Sequence, residues 1–331
     1  MNTNEAIIAA FDARAKRRDD RRDFFKAAGT AAAAVAATSM LGGCFGNSNN
    51  KDATPAPPPG PPPPTGPSDA DILNFALNLE YLEAQFYSYA AFGTGLAANM
   101  LTGTGTQGAV IGGRKVNFTD PLVSQYAQEI AADEVTHVTF LRTQLGTSAV
   151  AQPAIDVGGT DPNGAFSSAA RSAGLVGAGV AFDPYATDEN FLLGAFIFED
   201  VGVTAYKGAS PLLTSKVYLE AAAGLLAAEA YHASLVRTVL YAKGVATPSL
   251  RTSADAISNA RDSLDGASDD DQGISPVGSQ SNIVPTDSSG IAFSRTAGQV
   301  LNVVFLNKLA VDRGGFFPAG VNGAIKTSAA N

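Results

Sequence analysis

Residue types that build covalent cross-links or cysteine-based metal sites are scarce in this sequence. The 331 residues include no tryptophan, two histidines, three methionines and a single cysteine, Cys44. One cysteine excludes a disulfide within the chain and any zinc or iron–sulfur site built from several cysteines. Only 16% of the residues are charged and 45% are hydrophobic, so the chain can bury a sizeable core. No stretch has the length and apolarity of a membrane-spanning helix.

The single cysteine lies at the end of an N-terminal segment that resembles a bacterial export signal. Residues 20–26 contain Arg21 and Arg22 and resemble a twin-arginine signal. Residues 41–44, Leu-Gly-Gly-Cys, resemble a lipobox, in which the cysteine becomes lipidated and N-terminal. We therefore expect twin-arginine export and a lipid anchor on Cys44, on the periplasmic side of the bacterial envelope. The alternative is a disordered basic tail with a buried cysteine.

Charge and composition change after this segment. Residues 44–331 carry 15 Lys and Arg against 26 Asp and Glu, a net charge of −11 (15 − 26). Such an acidic protein is not expected to bind nucleic acid. The part up to residue 67 is rich in Pro, Gly, Asn and Ser, which is typical of an extended linker. The predicted organisation is a signal peptide at 1–43, lipidated cysteine and linker at 44–67, helical domain at 68–244, and C-terminal extension packed on it at 245–331.

Capping residues and apolar patterning predict four long helices. Each begins near a Ser, Thr or Asp suited to an N-cap, and several stop before a glycine. The connection at 147–186 is far longer than a turn, and one long crossover is typical of one class of four-helix bundle. The predicted helices are Ser68–Phe92, Thr119–Leu145, Thr187–Lys207 and Thr214–Lys243.

The connecting and C-terminal segments hold weaker signals. The loop at 93–118 is rich in Gly and Thr and has room for a short hairpin at Gly112-Gly113. Further along, we predict a weak helix near 254–264 and an apolar stretch at 300–306 that packs on the bundle. The acidic residues 269–271 are predicted to form a solvated loop, with a calcium-binding loop as the alternative.

Both histidines occur in the same short motif. Glu134 precedes His137 by three residues, and Glu229 precedes His232 by three. With nine glutamates in 331 residues, the chance that both histidines have this neighbour is roughly (9/331)², below one in a thousand. Residues three apart on a helix share a face, so each pair can reach one metal site.

Further glutamates interrupt apolar helical segments. Glu199 lies within the apolar run 191–201, and Glu80 and Glu83 lie one turn apart in the first helix. Burial of an ionised carboxylate costs about several kcal/mol unless the group is paired or bound to metal. These segments contain few Lys or Arg. We therefore expect metal ions to supply the positive charge.

Together these motifs resemble the di-iron carboxylate pattern of ferritin-like proteins such as bacterioferritin and rubrerythrin. That pattern has one Glu on helices one and three and Glu-x-x-His on helices two and four. Asn78-Leu79-Glu80 followed by Tyr87 is similar to the first helix of ferritins, which places the ligand at Glu80, with Glu83 as the alternative. The resemblance covers residues 68–244. It implies an all-α, ferritin-like four-helix bundle with one long crossover, Gly-rich loops and a C-terminal extension.

The resemblance also implies a metal content and a role for each ligand. Two metal ions are implied, with iron expected and manganese or zinc also compatible with the ligand types. Two glutamates would bridge the ions, and the other ligands would divide between them. The implied set is Glu134 and Glu229 as bridges, Glu80 and His137 on one ion, and Glu199 and His232 on the other.

Several residues near these motifs are assigned outside the ligand set. Asp133, four residues before His137, is either an acceptor that orients that histidine or a surface residue. Three tyrosines are expected to pack in the core, with an approach to the site as the alternative, and two glutamates on the other faces of their helices are expected to be solvated. These residues are Tyr87, Tyr206, Tyr231, Glu129 and Glu220.

The expected function combines the metal centre with the lipid tether. Long loops and a tether distinguish the chain from cage-forming storage ferritins and make it more similar to ferritin-like proteins related to plant desiccation-response proteins. We predict a di-metal protein at the cell envelope that reacts with peroxide, oxygen or Fe(II). The alternative is a stress-protective structural lipoprotein in which metal, if bound, only stiffens the bundle. A manganese catalase fits less well, because those enzymes resemble a site without the carboxylate of Glu229.

Overall fold

The computed structural model describes residues 66–331. The segment 1–65, with the predicted export arginines Arg21 and Arg22, the lipidation site Cys44 and most of the linker, lies outside the described residues. Within the described part, no helix has the length and apolarity to span a membrane. Almost all regular structure there is helical, so the prediction of an all-α fold is confirmed. The elements are α1 (Asp69–Phe92), β1 (Val110–Ile111), α2 (Pro121–Leu145), β2 (Ile155–Asp156), α3 (Ala165–Ser172), α4 (Asp188–Ala209), α5 (Lys216–Ala246), α6 (Ser249–Asp265) and α7 (Ala297–Val304).

The predicted caps start and end the long helices. The Ser68 hydroxyl accepts a hydrogen bond from the Asp71 N–H at 3.2 Å, and the Asp71 carboxylate accepts one from the Ser68 N–H at 3.0 Å. Asp120 caps α2, with Pro121 in the first helical position. Gly93 ends α1 in the left-handed conformation, with φ of 78°. Local chemistry therefore determines where α1 and α2 begin.

The prediction that the fourth long helix stops at Gly244 is wrong. This helix, α5, continues to Ala246. Gly244 instead allows a close approach of α6, because a Cβ atom there would lie 2.4 Å from Cγ of Arg251. The helix ends just before Thr247-Pro248, where proline disfavours a helical conformation in the residue before it.

Four helices form the bundle as two pairs. α1 packs mainly on α2 and α4 mainly on α5, while contacts of α1 with α4 and of α2 with α5 close the bundle. The crossover at 146–187 contains β2 and α3. β2 pairs in parallel with β1, with Ile155 opposite Val110. The predicted hairpin at Gly112-Gly113 is therefore wrong: these glycines, with φ of 74° and 92°, turn the chain next to a strand paired with the distant crossover.

The C-terminal extension packs on the bundle through α6 and α7. α6 contacts α4 and α5, and α7 contacts α4. The acidic loop between these helices was predicted to be solvated, which is wrong for Asp271. This residue is buried, and its carboxylate lies 2.6 Å from Arg261 and 3.0 Å from Arg295. Two buried guanidinium groups thus draw the loop inwards.

Asp271 belongs to a buried ionic network that joins the extension to α4. Arg237 and Arg261 lie 2.8 Å and 2.9 Å from the Asp200 carboxylate. Arg295 lies 2.6 Å from the carboxylate of Asp265. Buried charges of this kind depend on complete pairing, because an unpartnered ion in the interior is strongly destabilising. The network consists of Arg237, Arg261, Arg295, Asp200, Asp265 and Asp271.

Candidate metal centre

The six predicted ligands meet inside the bundle, and each of the four bundle helices contributes to them. α1 and α4 supply one glutamate each, and α2 and α5 each present a glutamate and a histidine from one face. All six residues are buried, with exposures of 7% or less. They are Glu80, Glu134, His137, Glu199, Glu229 and His232. Their role as ligands stays a prediction, but the structure brings together every member of the set.

Around His137, four residues offer one ligand atom each to a common point. Nδ1 of His137 lies 3.2 Å from Glu80 Oε2, 3.5 Å from Glu134 Oε2 and 3.6 Å from Glu229 Oε1. Three carboxylates and one imidazole at these separations can surround a single ion.

A second cluster forms around His232. Glu199, Glu229 and His232 offer one atom each to this cluster, and Glu229 belongs to both. Nδ1 of His232 lies 3.8 Å from Glu199 Oε2 and 3.0 Å from Glu134 Oε1. Glu134 and Glu229 therefore lie between the two histidines, as a bridging role requires.

The donor set fits two metal ions because its buried atoms lack other partners. Both oxygens of Glu134, both oxygens of Glu229, Oε2 of Glu199 and Nδ1 of His232 form no hydrogen bond. Proteins rarely leave buried polar atoms without a partner unless water, an ion or a function accounts for them. Within residues 66–331, no Lys or Arg forms an ion pair with these glutamates. Cations bound among them would satisfy atoms that form no hydrogen bond within the protein.

Two tyrosines hold outer oxygens of the cluster. The hydroxyl of Tyr87 donates to Glu199 Oε1, and the hydroxyl of Tyr206 donates to Glu80 Oε1. Both tyrosines are core residues, as expected, and their hydroxyls also reach the site; the expectation of core packing is wrong for Tyr231, which is 73% exposed. A sequence signal existed: each tyrosine follows the glutamate of its own helix by seven residues, two helical turns. The bonds then cross between helices, so each tyrosine serves the opposite glutamate.

For two acidic residues next to the ligand set, Asp133 and Glu83, the sequence left two alternatives open. Asp133 was expected to orient His137 or to face solvent, but it lies 3.4 Å from Nε2 of His232. This contact can fix the ring so that Nδ1 faces the cluster. Glu83 is buried but belongs to neither ligand cluster, whereas Glu80 belongs to the first. Glu129 and Glu220 are exposed, as expected.

Burial disfavours the charged forms of the ionisable groups in the cluster. Burial raises the pKa of Glu80 to about 7 and that of Glu199 to about 8, although nearby histidines act in the opposite direction. Burial also raises the pKa of Glu229 well above its usual range. For His232, burial lowers the pKa, but Asp133 and the glutamates outweigh it and raise the pKa to about 10. At neutral pH these groups therefore hold protons that metal ions must displace.

Metal binding is accordingly expected to release protons and to weaken as the pH falls. The raised pKa values of Glu80 and Glu199 mean that both carboxyls become increasingly protonated as the pH drops from about 8 to about 6. Calorimetric titration with zinc in buffers of different ionisation enthalpy measures the number of protons released. Binding without proton release, or with unchanged affinity over this range, would contradict the shared buried cluster.

Comparison with known proteins agrees with this fold and cluster. The ferritin-like domain family matches residues 68–242, more than half of the chain, and the chain belongs to this family. It is 35% identical over 177 residues to a desiccation-related protein of Craterostigma plantagineum, an alignment covering 53% of each chain. It is also 29% identical over 278 residues to a ferritin-like catalase of Nesocodon mauritianus, covering 78% of this chain and 85% of that protein. The chain thus matches about half the length of the first relative. No solved structure matches it.

The family membership confirms the resemblance inferred from the sequence motifs. It also confirms the bundle as the fold that carries the buried Glu and His cluster, which could hold metal.

Proposed function

We propose that the chain binds two metal ions in this cluster, with iron expected, and uses them to react with a small oxidant, peroxide or oxygen, or with Fe(II). The observation that carries the proposal is the set of buried, unpartnered donor atoms on Glu134, Glu199, Glu229 and His232. Iron or manganese bound there would supply the redox change. The protein residues hold the ions, exclude bulk water and, through Tyr87 and Tyr206, keep Glu199 and Glu80 in place.

One relative supports peroxide as the first substrate to examine. The protein from Nesocodon mauritianus that covers most of the chain is named a ferritin-like catalase. A catalase consumes hydrogen peroxide, a molecule small enough to reach a buried centre. Manganese suits the same ligand types and also has an accessible redox change, so it is tested beside iron in the experiment below.

The proposal predicts metal-dependent turnover. The protein loaded with iron or manganese is expected to consume peroxide or to oxidise Fe(II), while the zinc form stays inert because zinc has no accessible redox change. Oxygen release and peroxide loss are measured for the three forms at equal metal content. Equal activity of iron, manganese and zinc forms, or none in any form, would overturn the redox function.

A stress-protective structural role is the second candidate, favoured by the name of the desiccation-related relative. In that role the metal would stiffen the bundle without turnover. Zinc would then replace iron with no loss of thermal stability. The same three metal forms therefore separate the two candidates, with the melting temperature as the second measurement.

We further propose that the protein acts at the bacterial envelope, exported through Arg21 and Arg22 and anchored to the membrane through lipidated Cys44. The twin-arginine motif followed by the lipobox within residues 1–44 supports this location. Cys44→Ala is expected to abolish lipidation, so the protein moves from the detergent phase to the aqueous phase in detergent partitioning. Partitioning indistinguishable from that of the wild type would refute the anchor. Because the twin-arginine route carries folded proteins, metal can be loaded before export.

A further inference from the structure

A small cavity lies between α1, α4 and α7, beside the metal cluster. Its volume is about 20 Å³, and a cavity needs roughly 10–15 Å³ by the same measure to hold one water. The α7 side chains in its wall are Val303 and Val304, and Phe316 also lines it. Nearly all of the lining is apolar. The space therefore suits a molecule little larger than water and excludes a hydrated cation.

One carboxyl interrupts this apolar lining. Glu83 lies in the wall and is 6% exposed. It belongs to neither ligand cluster, and the other side chains in the wall are apolar. A carboxyl in an apolar wall is costly to bury unless something hydrogen-bonds to it, so its retention there indicates a small ligand in the cavity that it can hydrogen-bond. Glu83 is the one ionisable group in this wall and is not needed to complete the six ligands.

The two halves of the bundle differ at this point. The spacing of Glu80 to Tyr87 on α1 equals that of Glu199 to Tyr206 on α4, which makes Gly202 the counterpart of Glu83. A Cβ atom on Gly202 would lie 2.2 Å from Glu229 Oε2 and 3.6 Å from Glu83 Oε1. Gly202, which also lines the cavity, thus leaves room for the carboxylate of the proposed bridging ligand Glu229 beside Glu83.

We propose that this cavity admits hydrogen peroxide to the metal pair and that the Glu83 carboxyl hydrogen-bonds to it there. The inference rests on the proposed redox function and names its substrate. Hydrogen peroxide has the O–H donors and acceptor oxygens that a carboxyl can bind, whereas dioxygen has no donor. The apolar wall gives Fe(II) no ligands in place of its water shell. Val303 and Val304 of α7 set the size limit, which gives the C-terminal extension a part in selecting the substrate.

The first test separates binding of substrate from binding of metal. Glu83→Leu removes both hydrogen-bonding functions at similar size, and Glu83→Gln keeps one donor and one acceptor. We expect Glu83→Leu to raise KM for hydrogen peroxide roughly tenfold, about the effect of one lost hydrogen bond, with partial rescue by Glu83→Gln. Metal content, measured by elemental analysis, stays at the wild-type value in both. A loss of metal from Glu83→Leu would make Glu83 a ligand and overturn the proposal.

The second test changes the size of the cavity without touching the centre. Val304→Ala removes two methyl groups from its wall, while Val300→Ala removes the same groups from a buried residue of α7 outside the wall. We expect Val304→Ala to raise kcat/KM for ethyl hydroperoxide relative to hydrogen peroxide about tenfold, and Val300→Ala to leave the ratio unchanged. Crystals of Val304→Ala under xenon pressure should bind xenon in the cavity, because apolar cavities of sufficient size take it up.

The outcomes distinguish a failure of the proposed redox function from a failure of the proposed access route. If wild-type protein loaded with iron or manganese does not consume peroxide, the proposed redox function fails and the substrate assignment fails with it. If the wild type is active and both Glu83→Leu and Val304→Ala behave as the wild type, only the access route is wrong. Xenon bound at Val304→Ala with an unchanged peroxide ratio would likewise refute the route, since the cavity would exist without serving substrate.

Discussion

Glu134→Ala is expected to reduce the bound metal from about two ions per chain to nearly none. Glu134 lies 3.5 Å from Nδ1 of His137 through one oxygen and 3.0 Å from Nδ1 of His232 through the other. Its loss therefore removes the carboxylate that contacts both histidines, so neither ion would keep its full set of ligands. Elemental analysis after loading with excess metal measures the effect. Glu229→Ala, which belongs to both clusters, should behave in the same way.

Two further variants test whether the loss of both ions is specific to the bridging glutamates. Glu220→Ala removes an exposed glutamate from the same helix as Glu229 and should keep the full metal content. Glu80→Ala removes a ligand from the His137 cluster alone and should lose about one ion. Full occupancy in both Glu134→Ala and Glu229→Ala would disprove a shared, bridged site.

Arg295→Ala is expected to lower the free energy of unfolding by about 3–5 kcal/mol. Arg295 is 1% exposed and pairs with Asp265 at 2.6 Å and with Asp271 at 3.0 Å. Asp271 retains Arg261 in the variant, but Asp265 keeps no ion-pair partner among the described residues. The uncompensated buried carboxylate accounts for most of the expected loss. Chemical denaturation monitored by circular dichroism measures it.

An exposed arginine provides the comparison. Arg313 pairs with Asp312 at 2.8 Å, but both side chains are more than half exposed. Solvent screens such a pair, so Arg313→Ala should leave the unfolding midpoint unchanged. A similar midpoint for Arg295→Ala and Arg313→Ala would mean that the buried network does not stabilise the fold.

The sequence was sufficient to predict the bundle helices and the six members of the cluster, because the signals involved are local. Glu-x-x-His spacing, capping residues and carboxylates in apolar runs are each read within a few turns of one helix. Contacts between helices could not be predicted in this way, as Asp133 shows. It lies one turn before His137, yet it contacts His232 of another helix. Such a contact depends on how the two helices are rotated relative to each other, and the local sequence of neither helix determines that rotation.

Features that depend on residues distant in the sequence could not be predicted either, because local patterns do not show which segments meet. Asp271 has the local appearance of a solvated acidic loop, and only the guanidinium groups brought up by α6 and by Arg295 reverse that expectation. Gly244 has the local appearance of a helix stop, but its role depends on Arg251 of the next helix. Tyr206 is the exception, since its spacing from Glu199 repeats that of Tyr87 from Glu80 and could have been noticed.

The bracing of the ligand helices has a consequence for how the protein is made. Asn322 exchanges hydrogen bonds of 2.9 Å with Asn78, two residues before Glu80, and Arg295 pairs with Asp271, whose network includes Asp200 next to Glu199. A ribosome delivers all four bundle helices well before it delivers residues 295–322. A nascent chain therefore carries every ligand before the supports of α1 and α4 exist, and the centre takes its final geometry only after synthesis has passed residue 322.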